Sequence, residues 1–144
     1  MRVIRRAKPE ELIWVNQQYD RVQFLHSDFY KELIAIAEVD EKRAGIGRLV
    51  PLSDTAMELG GILVLEDYRG YGLARAIVLY LLAQAGFRTL YCLPFARLEN
   101  FYASMGFRPV SDLEMVTEKL LEKWNWCNST YPETTLLLYR PAQV

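Results

Sequence analysis

The stretch Val64-Leu65-Glu66-Asp67-Tyr68-Arg69-Gly70-Tyr71-Gly72-Leu73-Ala74 decides the fold. An apolar strand runs into a turn holding two glycines, and a helix begins at once. Gly70 and Gly72 lack Cβ atoms, so the backbone can turn tightly there and approach a ligand closely. The helix N-terminus adds unpaired N–H donors and a partial positive charge, which suit a phosphate group. The same residues also suit a plain strand-to-helix turn, and a short glycine motif does not separate the two.

Working outward, the helix runs from Tyr71 to Ala85 and stops near Gly86. Only Arg75 and Gln84 interrupt its apolar character, which predicts a largely buried helix. Before the loop, Met57 to Leu65 is a long strand containing Gly60-Gly61, and glycine inside a strand marks a bulge or a close backbone approach. Leu33 to Val39 and Ala44 to Val50 form a hairpin around Asp40-Glu41-Lys42. Arg2 to Ala7 is a first strand. Pro9 suits the start of a helix over Glu10 to Tyr19, and a short helix is expected within Ser27 to Lys31. After the loop come a strand at Thr89 to Leu93, a helix at Leu98 to Met105 stopped by Gly106, a helix near Leu113 to Lys123 and a strand near Thr134 to Tyr139. An early hairpin followed by alternating strands and helices gives an α+β or α/β class with a mixed sheet. The 144 residues, without repeats or linkers, are expected to form one domain, 1–144.

Bulk properties exclude several classes. The net charge of -1 offers no basic field for nucleic acid. Cys92 and Cys127 stand far apart and His26 is the only histidine, so no metal site is expected. No apolar run is long enough to span a bilayer, and the arginine-rich start has no signal-peptide core. A cytoplasmic setting is the expectation. A dinucleotide site would need GxGxxG after the first strand, and a P-loop GxxxxGK[ST]; neither is present.

What is present is Arg69-Gly70-x-Gly72-x-Ala74 after a strand carrying Val64, and about thirty residues later Phe101-Tyr102-Ala103-Ser104-Met105-Gly106-Phe107. Here the chain resembles the GNAT N-acetyltransferase superfamily. The acetyl-CoA loop of that family, Arg/Gln-x-x-Gly-x-Gly/Ala, is met by Arg69, Gly72 and Ala74. Its later signature Tyr-x-x-x-Gly-Phe is met by Tyr102, Gly106 and Phe107. The order of elements fits over nearly the whole chain. Two departures stand out: Glu66 replaces the usual proline after the valine, and Phe95 replaces an asparagine commonly found seven residues before the tyrosine.

The resemblance implies a mixed, mostly antiparallel central sheet flanked by helices in three layers and splayed at the acetyl-CoA site. It implies that backbone N–H groups of Arg69, Gly70, Tyr71, Gly72, Leu73 and Ala74 hold the CoA diphosphate, and that Ile62, Leu63 and Val64 pair with the pantetheine arm. It implies a catalytic Tyr102 that protonates the leaving thiolate. It also suggests Glu58 as general base, set by strand alternation on the face of Ile62 and Val64, against the plain reading of an exposed charge; Glu38 is a weaker candidate. The implied activity is transfer of acetyl from acetyl-CoA to a primary amine by direct attack, with no metal, no nucleic acid and no membrane partner; a homodimer is left open. The competing readings are a non-catalytic acyl-CoA-binding or sensing module, and a different nucleotide-binding domain. His26, Cys92, Arg48 and the cluster Trp124, Trp126, Cys127 and Tyr131 each carry a functional reading beside a packing or solvation one.

Overall fold

A computed structural model describes residues 1–143. Seven strands hydrogen-bond in the order β1-β2-β3-β4-β5-β7-β6. They are β1 (Arg2–Arg6), β2 (Leu33–Val39), β3 (Lys42–Pro51), β4 (Ala56–Val64), β5 (Thr89–Cys92), β6 (Arg108–Pro109) and β7 (Leu138–Arg140). The helices are α1 (Leu12–Arg21), α2 (Leu73–Ala85), α3 (Glu99–Ala103) and α4 (Glu118–Thr130). β1–β2, β2–β3, β5–β7 and β6–β7 pair antiparallel. The β4–β5 pairing is parallel and joins Ala56–Glu58 to Thr89–Tyr91, while β4 runs on to Val64. The sheet is therefore open and mixed. Among the described residues, no helix is long and apolar enough to cross a membrane.

The chain divides into two compact units. The first is Met1–Pro51 with Leu59–Gly86; the second is Leu52–Glu58 with the chain from Phe87 onward. In the first unit the sheet is covered on both faces. Val15 and Tyr19, one turn apart on α1, pack on Ile34, Ile36 and Ile46. Gly45 and Gly47 flank Ile46 and so face the other way. A Cβ at Gly47 would lie 2.6 Å from Ile77 and 2.9 Å from Leu81, both on α2. These two glycines let α2 press against the strand backbone. The hairpin turn between β2 and β3 holds Asp40 and Glu41 at φ of 50° and 69°, the left-handed pair that matches strand twist in a tight turn.

In the second unit, Tyr91, Val116, Leu120 and Leu137 form a cluster with Leu93 and Trp124 packed on it. The indole of Trp124 donates to the Thr135 carbonyl at 2.8 Å. Leu120 and Trp124 of α4 meet Tyr91 of β5 in this cluster, which packs the tail helix on the strand.

Several elements differ from the sequence expectation. Ser27 to Lys31 forms no helix. Asp28 takes the backbone N–H of Tyr30, Glu32 takes that of Asp28, and Asn16 takes that of Ser27, so side chains satisfy what helix bonds otherwise would. α4 starts at Glu118, where Thr117 accepts from the Leu120 N–H; Leu113–Met115 is a separate 3₁₀ turn begun by Asp112. β7 is confined to Leu138–Arg140, with Thr135 in one isolated bridge to Phe95.

A charge network closes the first unit. Glu11 is 2% exposed. It takes both terminal nitrogens of Arg5 at 2.7 and 2.9 Å, Arg43 Nε at 2.8 Å and the Lys8 N–H at 2.9 Å. Arg5 above all, then the Lys8 and Arg43 bonds, overcome burial and hold the Glu11 carboxyl down at about 2, against 4.5 ordinarily. A depressed carboxyl stabilises the fold above its ordinary value and loses that contribution as pH falls towards the folded value. Glu11→Gln should therefore cost roughly 1–3 kcal/mol at neutral pH. It should also flatten the loss of stability between pH 4.5 and about 2. Urea unfolding across that range checks both; an unchanged acid limb would show that this carboxylate contributes nothing.

Candidate active site

The loop after β4 is built by local backbone rules. Leu65 is tied down by its N–H to the Ala44 carbonyl at 2.8 Å. Glu66–Tyr68 makes one 3₁₀ turn, which Glu66 opens in place of a proline. Arg69 then extends, and its Nε reaches back to the Val64 carbonyl at 3.2 Å. Gly70 and Gly72 follow at φ of 87° and 76°, conformations that a side chain disfavours. A Cβ at Gly70 would meet nothing within 4 Å, so the requirement there is conformational and the space above is open.

Gly72 caps α2 without any side-chain bond, and the first turn of α2 holds no acidic residue. The cap therefore adds no side-chain acceptor of its own to the leading N–H groups. A second cation is also present, and sequence reading missed it. Arg2, the first residue of β1, donates from Nη1 to the Tyr71 carbonyl at 2.7 Å. The same nitrogen lies 4.0 Å from where a Gly72 Cβ would stand. Arg2 and Tyr71 are 69 positions apart in the chain. Two left-handed glycines, an uncapped helix start and a guanidinium make an anion cradle fit for a diphosphate.

The strand before the loop is not uniform. Gly61 has φ of 60°, which breaks the alternation of β4. The alternation that sets Glu58 on the face of Ile62 and Val64 counts through this point. Ile62 points at α2, its Cδ1 being 2.8 Å from the site of a Gly47 Cβ, whereas Leu63 packs with the α1 cluster. The Gly61 carbonyl accepts from the Tyr19 hydroxyl at 2.8 Å.

In the second unit, Glu58 is 5% exposed, so it is not a solvated charge. Lys123 Nζ donates to both of its oxygens, at 2.8 and 3.0 Å. Sequence gave no signal for this partner, 65 residues away. Glu38 is held by Arg5 through two bonds.

Tyr102 sits on α3, 5% exposed. Its ring stands edge-on to Phe101 at 5.0 Å and to Phe107 at 5.6 Å. Gly106 at φ 97° lets the chain fold back so that the Phe107 N–H reaches the Tyr102 carbonyl. Burial, and secondarily Cys92, pushes the phenol's proton affinity well above the ordinary value, so the group stays protonated. Cys92 is itself buried, and burial pushes its thiol well up; it is not a reactive thiolate.

The remaining candidates have partners within the chain. His26 is exposed and pairs with Asp20. Arg48 is neither solvated nor at the surface: it is 4% exposed, donates to the Leu25 carbonyl and Ser27 Oγ, and lies 4.5 Å over the Tyr19 ring. Phe95 stacks edge-on with Tyr131 at 5.5 Å. Among the described residues, no group of three or more His, Cys, Asp or Glu side chains could hold a metal ion.

Residues 27–109, more than half of the 144, match the family model of the acetyltransferase (GNAT) domain. The chain belongs to the GNAT acetyltransferase family. No curated protein matches the sequence significantly. Among solved structures, it superposes on N-acetylglutamate synthase from Neisseria gonorrhoeae in complex with coenzyme A and L-arginine, with TM-score 0.76 and 15% identity, over 99% of this chain and 34% of that one. This chain thus spans about a third of that synthase. It is similar over 98% of its length, and 99% of the other's, to Rv2747 from Mycobacterium tuberculosis in complex with CoA and NLQ, with TM-score 0.74 and 18% identity. The ribosomal-protein-S18-alanine N-acetyltransferase from Escherichia coli matches with TM-score 0.73 and 18% identity, over 100% and 96%. At these identities the likeness establishes the GNAT fold.

Gly72→Asp should remove CoA binding, because its carboxylate would enter the cradle and the residue would resist φ of 76°. Calorimetric titration with acetyl-CoA checks this; unchanged affinity would mean that the loop holds no diphosphate.

Proposed function

We propose that this protein is an acyl-CoA-dependent N-acyltransferase that moves acetyl from acetyl-CoA to a primary amine by direct attack. The observation that carries the reading is the anion cradle between β4 and α2. Its backbone N–H groups, from Arg69 to Ala74, take the CoA diphosphate, with Arg2 adding charge. The segment Ile62–Val64 offers strand backbone to the amides of the pantetheine arm, as strand addition does.

Thioesters are activated acyl donors, so no covalent enzyme intermediate is needed. The amine nitrogen attacks the carbonyl carbon, the C–S bond breaks, and the sulfur leaves with the electron pair. An alkylammonium must lose one proton before it can attack; a second leaves the nitrogen as the amide forms, and one must reach the sulfur. Tyr102 is the proposed donor to sulfur, and its buried, protonated phenol supports that role. Glu58 is the proposed base. It is a buried carboxylate whose two oxygens accept from Lys123 Nζ, and most amines of pKa about 10.4 need to lose a proton at neutral pH.

Free-thiol release from acetyl-CoA with a panel of amines tests the activity. Tight acetyl-CoA binding with no thiol release from any amine would make the chain an acyl-CoA-binding module instead. Tyr102→Phe should keep acetyl-CoA affinity and lower kcat by roughly 10- to 1000-fold; normal turnover would return Tyr102 to packing. Glu58→Gln should depress turnover near neutral pH, with the deficit shrinking as pH rises and free amine becomes plentiful. A pH-independent deficit would make Glu58 a positioning group, and no deficit would remove it from the chemistry.

A further inference from the structure

Among the described residues the second unit holds two salt bridges. Arg97 with Glu133 is exposed on both sides, whereas Glu58 with Lys123 is closed at one end: the carboxylate side chain is 6% exposed and the lysine 26%. Both Glu58 oxygens are engaged, with Lys123 Nζ at 2.8 and 3.0 Å. The groups around the pair are neutral. Tyr91 stands opposite Glu58 across the β4–β5 pairing, and burial above all keeps its phenol protonated. Cys92 and Cys127 lie within electrostatic reach of Glu58, and burial first of all keeps both thiols protonated. Among the described residues neither Glu58 nor Lys123 has a second salt-bridge partner.

An amine acceptor must bring its nitrogen to Glu58 if that carboxylate is the base, and at neutral pH most amines arrive as ammonium ions. Such an ion has two ways in. It displaces Lys123 Nζ, which leaves a part-buried cation without its anion, or it shares the carboxylate, which sets two cations against one anion. Both weaken binding. A carboxylate on the same acceptor removes either penalty, because it takes Lys123 while the ammonium takes Glu58. The two protein charges are in direct contact, so the two charges of the acceptor must also be close, on one carbon or on neighbouring carbons. We propose that Lys123 is the specificity residue of the acceptor site and that the acceptor is a free amino acid, its ammonium at Glu58 and its carboxylate at Lys123. This rests on the acyl-transfer reading above, with Glu58 as base. A polyamine has no carboxylate to offer, and the N-terminus of a peptide carries its carboxylate too far away.

Thiol release from acetyl-CoA with a panel of α-amino acids, each beside its own carboxamide, tests this. Each pair differs only in the carboxylate. The amine of a carboxamide is the less basic one, so more of it is free at neutral pH and unaided reactivity favours it. The wild type should nonetheless prefer the best amino acid over its carboxamide by roughly 10- to 100-fold in kcat/KM, less than a fully buried partner would command. Lys123→Met keeps the length of the side chain and removes the charge. It should lose that preference through a raised KM for the amino acid, while KM for acetyl-CoA stays within about 2-fold. Lys123→Arg should keep most of the preference. A wild type that takes the carboxamide or a short peptide as well as the amino acid overturns the inference whether or not any variant folds. So does a folded Lys123→Met with the preference intact. Absence of thiol release with every amine would instead overturn the acyl-transfer reading itself.

Discussion

Gly45 and Gly47 leave α2 a place against the backbone of β3, and that close approach governs the first unit. Ile77 and Leu81 occupy the space that side chains would fill. With α2 held there, its N-terminus has one position, and the segment from Leu65 to Gly72 must reach it in a single short run. A 3₁₀ turn and two left-handed glycines accomplish this. The anion cradle is thus a consequence of how tightly a helix packs on a strand. A larger residue at position 47 would push α2 outward, at a cost of about 1–3 kcal/mol for overpacking, and would disturb the loop without touching it.

The other face of the same sheet is treated in the opposite way. Where α2 needs small residues, α1 brings a tyrosine, and β3 alternates Ile46 and Arg48 towards it. A buried arginine is expensive unless its donors are used and its charge is matched. Here two donors go to the chain between α1 and β2, and the aromatic face takes part of the charge. That arrangement orders residues 25–27 without a helix. At the edge of the unit, Glu11 does comparable work for the start of α1, gathering Arg5 and Arg43 from two strands.

The parts legible in the sequence were those written in neighbouring residues. Glycine spacing marked the loop, the apolar run of α2 marked a buried helix, and Gly106 marked the end of α3. The parts that were not legible depend on residues far apart in the chain. Glu58 and Lys123 are separated by 65 positions and Tyr19 and Gly61 by 42, so no local pattern announces either pair. Arg48 was open between solvent and ligand because burial is a tertiary property. The alternation that links Glu58 to Val64 counts through Gly61, whose φ of 60° leaves the extended region, and a period-two pattern in the sequence does not announce such a residue. β6, two exposed residues long, has no pattern to detect.

The contact between positions 19 and 61 also bears on how this sequence can change. Any side chain at 61 meets the tyrosine hydroxyl before it meets anything else. A Cβ there also meets Arg48 Nε at 2.8 Å, and φ of 60° disfavours a side chain whatever space is made. Residue 61 is thus fixed as glycine three times over, by the tyrosine, by the arginine and by its own backbone, and a change at 19 alone does not release it.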